Sequence, residues 1–221
     1  MTNTVVITGA NRGIGLALTK EYLSRGDKVL AVCRHSSAEL DDTRAEIITG
    51  VDVADEKGLR VLASRLPIES IDILMNNAGV LEHEVLGDID YQNILTQLQI
   101  NALGPLRVTE ALLSKLKHGA KIGLITSRMG SMADNTSGGY YGYRMSKAAL
   151  NATGVSLAHD LRDSGIAVAL LHPGFVQTDM VGHAGDITPT EAARRLVQRM
   201  DELTLDKSGT FWHSNGEVLP W

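Results

Sequence analysis

A single cysteine, Cys33, stands in 221 residues, which excludes an internal disulfide and points to a reducing compartment. No window approaches the roughly 18 apolar residues of a membrane-spanning helix. Strand-like sequence begins by Thr4, without the charged start and apolar stretch of a secretory signal, so the expected location is cytoplasmic. Nor is there a basic run long enough to track a phosphate backbone. With 26 acidic residues against 21 Lys and Arg, the formal charge is -5, and nucleic acid is not an expected partner. The seven histidines lack ligand-like spacing, so no metal is expected, and His172 beside Pro173 reads as the end of a strand. Repeats, linkers and low-complexity stretches are absent as well. At 43% hydrophobic residues the chain suffices for one substantial core and is short for two, which predicts a single domain over residues 1–221.

What is present is a recurring short apolar run. Thr4 to Thr8, Lys28 to Cys33, Glu46 to Val51, Ile71 to Asn76, Ala120 to Thr126 and Ile166 to His172 each read as a buried strand. Stretches with helical spacing lie between most of them, so the order is β-α-β-α with crossovers. That order predicts an α/β fold, a doubly wound Rossmann-type parallel sheet of about seven strands with helices on both faces. In the tail, Phe211-Trp212 and Val218-Leu219 flank an Asn215-Gly216 turn signal and predict an edge strand with a short return.

The first strand runs into "TGANRGIG". Gly9, Gly13 and Gly15 open the first helix, where backbone N–H groups and the helix dipole face a pyrophosphate. In a dinucleotide-binding unit that takes NAD, an acidic residue ends the second strand; here Cys33-Arg34 ends it, and no carboxylate follows until Glu39. Arg34, Arg12, Ser36 and Ser37 suit a 2'-phosphate instead, so NADP(H) is preferred over NAD(H). Far along the chain, Tyr143 and Lys147 lie four residues apart on one helix face. A neighbouring ammonium favours phenolate, which suits Tyr143 to exchange a proton in carbonyl reduction or alcohol oxidation.

With these motifs the chain resembles the short-chain dehydrogenase/reductase family, collinearly from the first strand to beyond Thr178. The family's glycine motif matches Gly9, Asn11, Arg12, Gly13, Ile14 and Gly15, and its adenine-contacting pair matches Asp52-Val53. Asn76 to Gly79 match the segment after strand four, Asn101 the helix asparagine, Ser127 the strand-five serine, and Tyr143 with Lys147 the Tyr-x-x-x-Lys pair. Pro173 to Thr178 match the Pro-Gly-x-x-x-Thr segment. Within the family the chain looks most similar to the carbonyl-reductase-like branch that includes sniffer and C-factor proteins.

The resemblance implies a catalytic tetrad of Asn101, Ser127, Tyr143 and Lys147. Tyr143 is then the general acid and base, and Lys147 lowers its pKa and binds the nicotinamide ribose. Ser127 holds the substrate oxygen, with Ser131 its nearest competitor, and Asn101 holds a water in the proton relay or caps and packs its helix before Gly104-Pro105 interrupts it. Asn77, Ala78 and Gly79 approach the adenosine half; Asp52 and Val53 bracket the adenine; Pro173, Gly174, Val176 and Thr178 contact the carboxamide. The implied activity is NADPH-dependent reduction of small ketones, aldehydes or quinones, and the alternative is an NADP(H)-binding regulatory protein with little turnover. The segment after Thr178 is a short lid, "ADNTSGG" is a long, mobile loop at the mouth, and Met129, Met132, Phe175 and Met180 are wall residues or core filling. The family pairs through the helix near Pro105 and the helix carrying Tyr143. Small residues at Ala148, Ala149, Ala152, Gly154 and Ala158 suit that packing, so a homodimer is expected, with a tetramer possible.

Overall fold

Apolar runs too rich in β-branched residues for a helix surface become strands buried on both faces. The computed structural model describes residues 2–67 and 69–221. The chain alternates β1 (Thr4–Thr8), α1 (Gly13–Ser24), β2 (Lys28–Val32), α2 (Ala38–Asp41), β3 (Glu46–Ile48), α3 (Glu56–Ser64) and β4 (Ile71–Asn76). Then follow α4 (Tyr91–Leu98), a π-helical turn (Gln99–Leu103), α5 (Gly104–Leu112), β5 (Leu116–Ile125), α6 (Tyr141–Asp160), β6 (Ala167–His172), α7 (Pro189–Glu202) and β7 (Phe211–His213). The strands form one sheet in the order β3-β2-β1-β4-β5-β6-β7, every ladder parallel. The predicted doubly wound sheet is therefore present.

Alternation along the strands divides the core in two. Val6, Leu30, Leu74, Ile122 and Val168 point to one face and meet Leu59 and Leu62 of α3, Val108 and Leu112 of α5, and Leu150 of α6. Val5, Ile7, Val29, Met75 and Leu171 point to the other, against Leu18 and Tyr22 of α1 and Leu196, Val197 and Met200 of α7. At the reversal of strand order, β1 and β4 lie side by side while their connections leave to opposite faces, which opens a crevice beyond their carboxyl ends.

Boundaries differ from the sequence reading at β3, which ends at Ile48 and not Val51, at β5 and at the expected helix break, while the tail agrees. β5 starts at Leu116 because the register beside β4 shifts between Ile71 and Ile73, and Lys117 Nζ pairs with Asp72 at 2.8 Å. The expected break at Gly104-Pro105 is a π turn that runs straight into α5, since Pro105 sits in the first turn, where a missing N–H costs little. In the tail, β7 pairs with β6, and Val218 returns to bridge Trp212 antiparallel, as the turn signal predicts. Among the described residues no helix is long and apolar enough to cross a membrane.

Candidate active site

The crevice is one cavity of about 990 Å³ reaching from Arg34 and Asp52 past the glycine loop to Phe175 and Met180. Its near end is made of backbone. Gly9 turns the chain at φ 66°, and a Cβ there would stand 2.8 Å from Ala78 Cα. A Cβ on Gly15 would stand 2.2 Å from the Gly9 carbonyl oxygen. Thr8 Oγ1 accepts from the N–H groups of Asn77 and Ala78 at 3.0 and 3.1 Å, and Asn77 Nδ2 donates to the carbonyls of Thr8 and Gly9. The β4 motif thus braces the glycine loop. The first turn of α1 has no acidic residue, and its N-cap, Arg12, provides no side-chain hydrogen bond. The N–H groups and dipole at this end are left facing the cavity, a fit for a pyrophosphate.

Charges at this end are loosely held. Arg34 faces Asp52 at 4.0 Å and Arg12 faces Asp179 at 3.5 Å, all four side chains well exposed. Asp52 also accepts from Ala54 N–H at 2.9 Å, and Val53 is buried beside it. The serines proposed beside Arg34 are otherwise engaged. Ser37 Oγ donates to the Asn11 carbonyl and caps α2, and Ser36 Oγ donates to Asp41.

The far end is made of side chains. Ser127 follows β5, and its Oγ accepts from Met129 N–H at 3.1 Å. Tyr143, on the first turn of α6, lines the same cavity. Burial pushes the Tyr143 phenol up to about 12, with the Ser127 hydroxyl opposing the rise. Lys147, one turn on, is buried; its Nζ donates to the Ile125 carbonyl at 2.8 Å and lies 5.6 Å from the Tyr143 ring centre. Burial draws Lys147 down to about 8, so it stays mostly charged at neutral pH. The expected lowering of Tyr143 by Lys147 is not found: desolvation raises the phenol, the influence opposing it comes from Ser127, and desolvation alone lowers Lys147.

Asn101 is buried in the π turn. Its Oδ1 accepts from Val80 N–H, and its Nδ2 donates to the Val80 carbonyl and to Ser146 Oγ at 3.0 Å; Ser146 Oγ in turn donates to the Tyr143 carbonyl. Its side chain therefore locks the end of the β4 loop to α6, the capping and packing role. A Cβ on Gly79 would stand 3.2 Å from Asn101 Oδ1 and 3.8 Å from Lys147 Nζ, so both side chains converge on that residue.

Pro173, Gly174, Val176 and Thr178 line the cavity opposite the glycine loop, as do Met129, Phe175 and Met180. Met132 does not: it is 71% exposed and outside the cavity. The loop from Ala133 to Gly139 is tied down by Arg144, whose guanidinium donates to Ser137 Oγ and to the carbonyls of Met129, Gly138 and Gly139. The place of Arg144 inside "YGYRMSK" was the available signal. His172, under the Pro-Gly turn, meets His213 edge-on at 4.9 Å, and burial holds it neutral, down to about 3. Among the described residues no cluster of three or more His, Cys, Asp or Glu side chains is arranged to hold a metal.

The family model described as short chain dehydrogenase matches residues 3–189. A 1-hydroxy-2-glutathionyl-2-methyl-3-butene dehydrogenase of Rhodococcus is 42% identical, over 99% of this chain and 100% of the relative. The C-signal protein of Myxococcus xanthus is 45% identical over 74% of this chain and 100% of its own length. Among solved structures, the NADPH-bound carbonyl reductase from chicken fatty liver superposes with a TM-score of 0.92 at 28% identity, covering 100% of this chain and 99% of that one. The carbonyl-reductase likeness read from the sequence agrees with this.

Proposed function

Since this chain belongs to the short-chain dehydrogenase family and is an oxidoreductase, we propose that it reduces small carbonyl compounds with NADPH, in a cytoplasmic setting. The observation that carries the proposal is the convergence of Ser127, Tyr143 and Lys147 on the same cavity that the glycine loop opens into. Bound NADPH supplies the hydride. Gly13, Ile14 and Gly15 hold the pyrophosphate on their N–H groups, Arg34 and Arg12 meet the 2'-phosphate, and Asp52 with Val53 flank the adenine. Ser127 Oγ donates to the substrate oxygen and stabilises charge developing there. Tyr143 gives that oxygen its proton, and a phenol whose pKa is raised stays protonated throughout the neutral range, as a general acid in reduction must. Lys147 keeps a positive charge next to the phenol and binds the ribose. Asn101 positions Tyr143 through Ser146 and the Val80 loop.

Two relatives shape the alternatives. The Rhodococcus protein's name describes oxidation of an alcohol bearing a glutathionyl group. Arg144, which lines the cavity beside Met129 and has no ion-pair partner among the described residues, is compatible with an anionic substrate, so alcohols with NADP⁺ belong in the assay. The C-signal likeness favours a regulatory role, against which stands the intact Ser127, Tyr143 and Lys147 set. The test follows nicotinamide absorbance with wild type and Tyr143→Phe, each with NADPH and NADH, against aldehydes, ketones, quinones and alcohols. Turnover that falls at least about 100-fold in Tyr143→Phe, at unchanged cofactor affinity, supports the reductase. Tight cofactor binding without turnover of any compound overturns it in favour of regulation.

The same reading carries a homodimer through α5 and α6. Leu106 of α5, Leu113 just beyond its end, and Met145 and Ala152 of α6 are exposed, whereas Gly154 and Ala158 pack inward against the protein's own core. A monomeric mass in light scattering at micromolar concentration contradicts it.

A further inference from the structure

A buried acid sits beside the catalytic helix, outside every motif the family resemblance uses. Glu84 is 2% exposed, and among the described residues no Lys, Arg or His forms an ion pair with it. Its Oε2 accepts from the N–H of Gly142, the residue before Tyr143, at 3.1 Å. Its Oε1 accepts from Gln97 Nε2, and Gln97 is fully buried on α4. The orientation of Gln97 is fixed in turn, because its Oε1 accepts from Glu82 N–H at 3.1 Å. Both oxygens of Glu84 therefore face donors, a demand that a carboxylate meets and an amide does not.

The start of α6 needs such a partner. Its N-cap, Tyr140, is in the left-handed region at φ 51° and offers no side-chain hydrogen bond, while its N–H is taken by the Glu84 carbonyl at 3.3 Å. Gly142 admits no side chain, since a Cβ would stand 2.5 Å from Gln97 Nε2 and 2.8 Å from Glu84 Oε1. Glu84 thus meets the helix with backbone and side chain together, and the carboxylate lies against the positive end of the α6 dipole.

We propose that Glu84 is a positioning residue for Tyr143: its buried carboxylate, oriented by Gln97, clamps the Gly142 N–H and so fixes where the first turn of α6 holds the phenol against Ser127. The proposal rests on the reductase reading for its kinetic arm and on geometry alone for its spectroscopic arm. Glu84→Gln places an amide donor against Gln97 Nε2 or against Gly142 N–H and breaks one contact. The double exchange Glu84→Gln with Gln97→Glu restores every contact. The carboxylate introduced on α4 accepts from Glu82 N–H and from the new amide, and that amide's oxygen accepts from Gly142.

The experiment compares wild type, Glu84→Gln and the double exchange. A tyrosine reporter at Tyr143 is supplied by 3-fluorotyrosine, its fluorine resonance assigned by loss in Tyr143→Phe. The expected result is a kcat lower by roughly tenfold in Glu84→Gln, with NADPH Kd and carbonyl KM within about twofold of wild type, a shifted or broadened Tyr143 resonance, and return of both in the double exchange. A Glu84→Gln protein that loses thermal stability yet keeps its kcat and its Tyr143 resonance has only a structural acid at this position, and the proposal fails. So does a defect that the double exchange leaves in place. If no carbonyl is turned over by any of the three, the reductase reading fails, and the fluorine resonance alone decides the role of Glu84.

Discussion

The two ends of the cavity are built from different material. At the glycine loop the groups facing the cavity are backbone N–H donors, held by contacts so close that a Cβ on Gly15 would lie 2.2 Å from a carbonyl oxygen. Around Tyr143 they are side chains on separate elements, joined through Ser146, Asn101, Glu84 and Arg144. A backbone site is specified by what is missing from the side chains, and a side-chain site by partners distant in sequence. The first fails when volume is added; the second, where Gly142 also excludes a side chain, fails as well when a donor meets a donor.

The sharpest way to break the contrast is Gly15→Ala. Its methyl group meets the Gly9 backbone, which cannot rotate away, and the Asn77 side-chain amide at 2.5 Å, which turns away only by giving up its hydrogen bonds to the Thr8 and Gly9 carbonyls. The loop must open, at a cost of about 2–3 kcal/mol that appears as a nearly hundredfold rise in NADPH Kd. Titration of cofactor fluorescence measures it, and Tyr143-dependent turnover at saturating NADPH stays near wild type. A variant with unchanged Kd means that the loop is not where the cofactor's phosphates lie.

Lys147 tests the other end. Its pKa is depressed to about 8 by burial, from an ordinary 10.5. Between those values the unfolded chain binds more protons than the native one, so this residue's contribution to stability rises with pH through that window. Relative to Lys147→Met, the wild type gains on the order of 2 kcal/mol between pH 8 and pH 10, seen in paired urea unfolding curves. Taking the difference cancels groups common to both proteins, such as Cys33, whose burial raises its pKa. Parallel curves for the two proteins would mean that Lys147 is solvated and not desolvated beside Tyr143.

The same division explains what the sequence made legible. The β-α alternation, the helices on both faces of the sheet and the glycine loop follow from periodicity and from residues that lack side chains, so Thr4–Thr8 and the turn at Gly9 were readable directly. The candidate catalytic set was readable only because a family pattern orders Asn101, Ser127, Tyr143 and Lys147 along the chain. Glu84 and Gln97 were not, since their meaning lies in contacts with residues up to 58 positions away, and Arg144 was marked only by its place inside "YGYRMSK". Met132 misled for the related reason that one apolar side chain gives no sign of whether it faces a cavity or solvent.

The mildest expected effect lies where the two ends differ least, at an exposed charge. Arg34 is 62% exposed at its side chain and its only ion-pair partner among the described residues is Asp52 at 4.0 Å, a surface pair that contributes little by itself and leaves the guanidinium able to turn toward a 2'-phosphate. Arg34→Asp replaces that donor with a carboxylate in the place where NAD-binding folds carry an acid for the ribose hydroxyls. The ratio of kcat/KM with NADPH to that with NADH is therefore expected to fall by at least about tenfold, the equivalent of one charge-assisted hydrogen bond. Because the Arg34 side chain is exposed, thermal stability stays within about 0.5 kcal/mol of wild type. An unchanged ratio would transfer cofactor choice to Arg12, whose guanidinium lies 3.5 Å from Asp179 on the opposite lip of the cavity, and Arg12→Ala would then lower the ratio where Arg34→Asp had not.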